Sequence, residues 1–366
     1  MSTPRSILSA LSIPIIAAPM AGGPTTAALV TAAAKAGGIG FLAAGYQSVD
    51  DLRSDIGAVR SAGTELFGVN LFITQYDDAR SATTDVEIDG FARTLERIAM
   101  AAGLDGPAPA SFTDNDYAGK IDYLCKNPVP LVSFTFGLPD AEIVRRLHDV
   151  GTEIAIMVTT VNDARDARER GADILIAQGS EAGGHQSTFS IADEPIGRTT
   201  VDLTQAIRAE LDDVPIVATG GIHSAVDARA ALEAGADAVQ LGTALLNTPE
   251  AGTSAPHRYG VKQHFDSKGE STTQFTRGFS GRPARGVINR FVLATQNAPA
   301  AYPYNNQMTK PLRASALSLD LKHGSEYVAL WCGSSASHSK QAPSGFMEGM
   351  ALEQVFAAID PFGDKS

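Results

Sequence analysis

Apolar residues in the first 250 positions fall into eight short, near-continuous runs, at 15–18, 39–43, 66–72, 131–136, 153–158, 173–178, 215–218 and 238–241. Runs of this length suit parallel strands covered on both faces. Between them, stretches at 25–36, 50–62, 141–150, 161–170, 202–211 and 224–234 repeat apolar residues at helical spacing. Strand and helix in regular succession predict an α/β chain folded as a (β/α)8 barrel, with a doubly wound open sheet as the competing architecture. An internal echo supports the repeat. At 164–173 and again at 227–237 an Ala/Arg-rich stretch ends at Gly171 or Gly235 and passes through Ala-Asp into the next apolar run. Glycine there tolerates the positive φ of a helix end, so these glycines read as structural and lie away from the catalytic end.

Two regions break the rhythm. Residues 74–130 form a long insertion, with helical patterns at 91–102 and 117–125 around a Gly/Pro-rich loop at 103–109. After about residue 250 the alternation stops. Residues 253–286 are polar with little periodicity, 288–294 read as a helix start, 300–309 as an aromatic, Asn-rich loop and 345–359 as a closing helix. The expected division is a barrel at 1–250, a helical and irregular cap at 251–340 on the substrate side, and a C-terminal helix at 341–366 packed on the barrel.

Composition narrows the function. The net charge of −12 argues against nucleic acid or an anionic membrane as partner. No apolar run reaches the ~20 residues of a membrane span, and residues 1–11 lack a signal-type apolar segment, so the expected location is the cytoplasm. Cys125 and Cys332 have no metal-ligand spacing and read as reduced, buried thiols. No metal site is expected.

The candidate chemistry sits at the ends of the predicted strands. His185 follows the sixth run on backbone loosened by Gly183 and Gly184, well placed to reach a ligand. Runs seven and eight end in Thr219-Gly220-Gly221 and Gln240-Leu241-Gly242-Thr243. Barrels commonly bind phosphate after strands seven and eight, where bare backbone N–H groups converge. No GxxxxGK[ST] motif is present, which argues against nucleoside triphosphates. Flavin mononucleotide fits such a site. The turn Ala18-Pro19-Met20 would set main-chain groups beside a flat ring, and Asn70 and Gln178 are amides in apolar strands that need partners, from the ring or from neighbouring turns.

Residues 17–23, 68–72, 218–222 and 240–243, with the motif Gln178-Gly179-Ser180-Glu181-Ala182-Gly183-Gly184-His185, together resemble the FMN-dependent nitronate monooxygenases, once called 2-nitropropane dioxygenases. Tyr302-Pro303, Asn306, Met308-Thr309 and Leu330-Trp331-Cys332-Gly333 are similar to the bacterial class I branch. Ser334 departs from the Gln or Lys often found there. The resemblance implies flavin contacts at Ala18, Pro19, Met20, Asn70, Gln178, Gly183 and Gly184, ribityl and phosphate contacts at Gly220, Gly221, Gln240, Gly242 and Thr243, and His185 facing the substrate. It makes Tyr302, Asn306 and Lys310 candidates to close the pocket.

The implied activity is oxidation of a nitronate or nitroalkane by dioxygen to a carbonyl compound and nitrite, in a monomer or homodimer. His185 would hydrogen-bond the anionic nitronate or remove an α-proton. One alternative is an NAD(P)H-dependent FMN reductase of an enoyl thioester or quinone, with Arg277, Arg282 and Arg285 gripping a pyrophosphate or coenzyme A. For the same arginines, solvated loop residues are the commoner reading. Another alternative is a non-catalytic flavin-binding protein. Glu181, His223 and Tyr304 remain open between site and structural roles.

Overall fold

The computed structural model describes residues 6–74, 76–267, 272–334 and 349–363. Eight parallel strands close into a barrel: β1 (Ile15–Ala17), β2 (Ile39–Ala43), β3 (Gly68–Phe72), β4 (Leu131–Thr135), β5 (Glu153–Val158), β6 (Ile174–Gln178), β8 (Ile216–Thr219) and β9 (Ala238–Leu241). β7 (Gly184–His185) stands outside it. Closure comes where Ile15, Ile16 and Ala17 pair with Val239, Gln240 and Leu241. That pairing bears out the (β/α)8 expectation and removes the open sheet.

Alternation explains why the runs look continuous. Ile16, Ile39, Phe41, Ile174, Ile176 and Val217 pack together inside the barrel, and Gly68 leaves room for the Phe41 ring, which would lie 2.3 Å from an added Cβ. The intervening residues, such as Val69, Val132, Ile154 and Leu175, face outward and pack beneath helices through Leu52, Ile56, Leu147 and Ile207. Apolar demand on both faces leaves no polar alternation to read.

The Gly-Ala-Asp echo has one job in both copies. Gly171 (φ 103°) and Gly235 (φ 106°) turn the chain out of a helix. Asp173 then accepts from Ile154 N at 2.7 Å, and Asp237 accepts from Ile216 N at 2.8 Å. Each carboxylate ties the start of one strand to its neighbour, at the end of the barrel away from His185.

The insertion contains helices Asp85–Ala102 and Tyr117–Lys126. Ile88, Phe91, Leu95 and Ala99 recur at helical spacing and pack with Phe72, Phe136, Phe279 and Tyr302, joining the insertion to the later chain above β3 and β4. The closing helix is Leu352–Ile359, packed on Ile15, Leu29 and Ala228. Of the expected span, residues 345–348 lie outside the described residues.

Between these elements the structure is more regular than expected. Residues 253–286 hold helix Ala255–Asp266 and strands β10 (Thr273–Thr276) and β11 (Ala284–Val287), although residues 268–271 lie outside the described part. The expected loop at 300–309 contains helix Tyr304–Met308. β10, β11 and β7 form an antiparallel sheet in which Ala284 pairs with His185 and Arg285 with Gly184. Among the described residues, no helix is long and apolar enough to cross a membrane.

Candidate active site

The inward-facing positions change from apolar to polar at the C-terminal ends of the strands. β3 carries Asn70, β4 Thr135, β6 Gln178, β8 Thr219 and β9 Gln240. All five line one cavity of about 510 Å³, within the ~300–1,000 Å³ usual for small-molecule sites. This is the end of a barrel where active sites form.

The cavity brings together His185, Ala18, Pro19, Met20, Asn70, Gln178, Gly183, Gly184, Gly220, Gly221, Gln240, Gly242, Thr243, Asn306 and Lys310. Tyr302 is the exception among the residues proposed from sequence. It is fully buried behind the wall, its ring 5.5 Å from that of Phe136 and under the Arg282 guanidinium. The pocket is lined as well by Tyr46, Phe279, Ser280 and Arg313, which the motifs did not mark, and by Trp331 of the 330–333 motif.

His185 is held from three sides. Its backbone pairs with β11. Gln178 Nε2 donates to His185 O at 2.9 Å, while Gln178 Oε1 accepts from Ser187 N at 2.8 Å. Gln178 thus anchors the histidine segment, with a second N–H and a second oxygen lone pair left over at the cavity it lines. The imidazole Nε2 lies 2.8 Å from Ser280 Oγ. Phe136 and Trp331 place their rings 5.5 Å from it. Burial, then the charges of Arg282 and Arg313, push His185 down to about 3, so the ring is neutral at pH 7.

Opposite lies a cradle of backbone. The N–H groups of Gly221, Gly242 and Thr243 meet no acceptor among the described residues. An added Cβ on Gly242 would meet only Ala18 Cβ, at 3.9 Å. Gln240 Oε1 is buried with no partner. The N–H groups, on partly buried residues lining the cavity, are free to bond a ligand's oxygens, and the buried Gln240 oxygen carries a desolvation cost. Phosphate and ribityl hydroxyls have the right chemistry for that set, and Ala18 and Pro19 line the same cavity, so the residues fit FMN. Asn70 differs. Its Nδ2 donates to Ser133 Oγ and Thr135 Oγ1, both at 2.9 Å, which leaves its oxygen side for a ligand.

A strap closes the cradle. Gly333 N donates to Thr243 Oγ1 at 3.0 Å, and Ser334 N donates to Glu181 O at 2.9 Å. Gly183 permits this approach, since a Cβ there would lie 2.6 Å from Gly333 N. The Glu181 carboxylate accepts from Thr200 N at 3.0 Å, and burial raises its pKa. Glu181 thus anchors the next helix rather than orienting His185. His223 Nδ1 lies 2.9 Å from Gly221 O, bracing the turn.

The far wall is cationic. Lys310 and Arg313 line it, and no described lining residue is Asp or Glu, in a chain with 41 acidic and 29 basic residues. Arg313 donates to Asn306 O and Oδ1 at 3.1 and 3.0 Å. The loop arginines all have partners in the protein, and Arg277 and Arg285 are only partly buried. Arg277 pairs with Glu194 at 2.8 Å, Arg285 donates to Ser180 O at 2.8 Å, and Arg282, 2% exposed, stacks 4.3 Å over Phe136.

Comparison with known proteins finds relatives along nearly the whole chain. The sequence profile of the family described as nitronate monooxygenase matches residues 5–345. A probable nitronate monooxygenase of Staphylococcus aureus is 30% identical over 349 residues, 94% of this chain and 95% of that one. The crystal structure of nitroalkane oxidase from Streptomyces ansochromogenes superposes with a TM-score of 0.85 at 35% identity, covering 97% of each chain. FabK from Thermotoga maritima has a TM-score of 0.66 at 24% identity over 98% of this chain and 95% of that one, a likeness of fold alone.

Proposed function

The chain belongs to the nitronate monooxygenase family, an oxidoreductase family acting on small molecules, and on that premise we propose that it oxidises alkyl nitronates with FMN and dioxygen, releasing a carbonyl compound and nitrite. One observation carries the reading: a neutral histidine and two cations share a cavity whose described lining holds no carboxylate. An anionic substrate is favoured there, and a cationic one is opposed.

The residues divide the work. Gly221, Gly242 and Thr243 would hold the FMN phosphate, Gly220 and Gln240 the ribityl chain, and Ala18, Pro19, Met20, Asn70, Gly183 and Gly184 the ring. Bound FMN supplies electron acceptance from the nitronate and the subsequent reaction with dioxygen. His185 hydrogen-bonds the nitronate oxygens. Lys310 and Arg313 lower the free energy of the anion in the pocket, with Asn306 fixing the guanidinium. In this reading the described residues of the 251–340 segment close the site over the barrel of the 1–250 segment. A histidine held this far below its usual pKa is a weak base toward a neutral nitroalkane, so the preformed nitronate is the better substrate. Of the arginines named for the reductase alternative, Arg282 is buried against Phe136.

The test is anaerobic mixing of the FMN-loaded protein with ethylnitronate and, in parallel, NADPH. Nitronate should bleach the flavin and NADPH should not. Bleaching by NADPH alone, or protein that takes up no FMN, would overturn the proposal.

A further inference from the structure

One helix lays a single face along the cavity. Lys310, Arg313, Ala314 and Leu317 all line it, at the i, i+3, i+4, i+7 spacing of one helical stripe. Helix Lys310–Ala316 carries them, and Leu317 at its end keeps helical backbone (φ −66°, ψ −19°). The opposite face is committed to the protein through Leu312 and Ala316, both fully buried. The stripe changes character along its length, from two cations to Ala314 and Leu317. We propose that Leu317 is a specificity-determining residue, packing against the tail of a nitronate whose head lies at Arg313 and so selecting longer alkyl chains. The proposal deepens the nitronate reading above and rests on it for the identity of the head group.

Packing on the buried face gives the stripe its direction. Met308 and Leu312 belong to the apolar cluster that holds Phe136 and Trp331, whose rings stand 5.5 Å from His185. Ala316 belongs to a different cluster, with Leu246 and Val328, and those two also line the cavity. The helix thus starts on the His185 side and ends beside an apolar wall. Leu317 is 50% exposed there, so it stands at the mouth. A lone exposed leucine needs no explanation. This one lines the substrate cavity next to two buried aliphatic side chains, and an alkyl tail laid against it takes apolar surface of both partners out of water.

The spacing sets the chain length. Arg313 and Leu317 are about one turn apart, roughly 6 Å of rise, which a tail of roughly four or five carbon–carbon bonds spans. An ethyl group stops short and a hexyl group reaches. Ala314 lies between, and its single methyl group leaves the path open. A methylene moved fully from water to apolar surface is worth about fourfold in binding. Only the last methylenes of a hexyl tail reach Leu317, which covers them on one side, so the gain over ethyl is about tenfold. The contact is the same before and during reaction, so the gain enters through KM more than kcat.

Steady-state kinetics of the FMN-loaded protein with ethylnitronate and hexylnitronate read the preference. The wild type should favour hexylnitronate about tenfold in kcat/KM. Leu317→Ser should bring that ratio close to one, while Leu317→Met, apolar and of similar volume, should keep it. Titration of the oxidised flavin with propionate and heptanoate, carboxylates that match the two nitronates in length, gives the same comparison as a ratio of Kd values without turnover. A wild-type ratio near one, or a preference that survives Leu317→Ser, overturns the proposal. If no nitronate is turned over, the functional reading fails, while the carboxylate ratio in wild type and Leu317→Ser still decides the role of Leu317.

Discussion

Replacing Gly242 by Ala separates cofactor binding from folding. Gly242 has φ −112° and ψ −79°, outside the left-handed region that favours glycine. A Cβ there meets only Ala18 Cβ at 3.9 Å, so it clashes with nothing in the protein. It does project into the cavity beside an N–H that has no acceptor among the described residues. Folding should therefore be unaffected or slightly helped, since Gly→Ala at a compatible site stabilises by about 0.4–1 kcal/mol through the unfolded chain. FMN should suffer. Displacing the phosphate from one charge-assisted hydrogen bond costs about 1.5–3 kcal/mol, or roughly ten- to a hundredfold in Kd. The assay is titration of apoprotein with FMN, followed by flavin fluorescence, beside thermal unfolding of the apoprotein. Gly38→Ala is the contrast, because its Cβ would lie 2.2 Å from Ile15 O and should damage the fold itself. An unchanged FMN Kd in a folded Gly242→Ala protein would mean that the phosphate sits elsewhere.

Further predictions follow from the same site. Arg313→Gln removes a cation from the cavity wall and should raise the KM for nitronate several-fold with a smaller change in kcat, and steady-state kinetics at fixed ionic strength would expose an equal loss in both as a contradiction. His257 donates to Trp331 O at 3.0 Å, and burial holds it down at about 4. Its unfolded form takes a proton below about pH 6.5 while the folded form does not, so folding free energy falls as pH drops from about 6.5 toward 4. Between pH 7 and pH 5 the wild type should lose about 2 kcal/mol more than His257→Gln in urea unfolding. Equal losses would remove that assignment.

The barrel was legible because each strand carries apolar residues on both faces, and its C-terminal ends were legible because glycine and amide residues interrupt those runs. The segment after residue 250 was not. Helix Ala255–Asp266 buries Pro256, His257, Gly260, Val261 and His264, a face with a single aliphatic residue and so no apolar period. Helix Tyr304–Met308 buries Asn305 and Asn306, whose side chains serve Arg277 O and Arg313. Arg282 read as a loop cation, yet Phe136 and Tyr302, distant in sequence, stack against it. Gln178 was visible as a strand amide, but its use on His185 O and Ser187 N depends on β7 turning back over the barrel, which no local pattern encodes.

The central claim is that one cavity holds FMN on its glycine amides and presents His185 to the substrate. His185→Asn tests both halves in one sample, by flavin content and by nitronate-dependent oxygen consumption. The variant should keep a full complement of FMN and lose roughly ten- to a hundredfold in kcat/KM, the worth of one charge-assisted hydrogen bond. Undiminished turnover, or loss of FMN together with activity, would contradict the account.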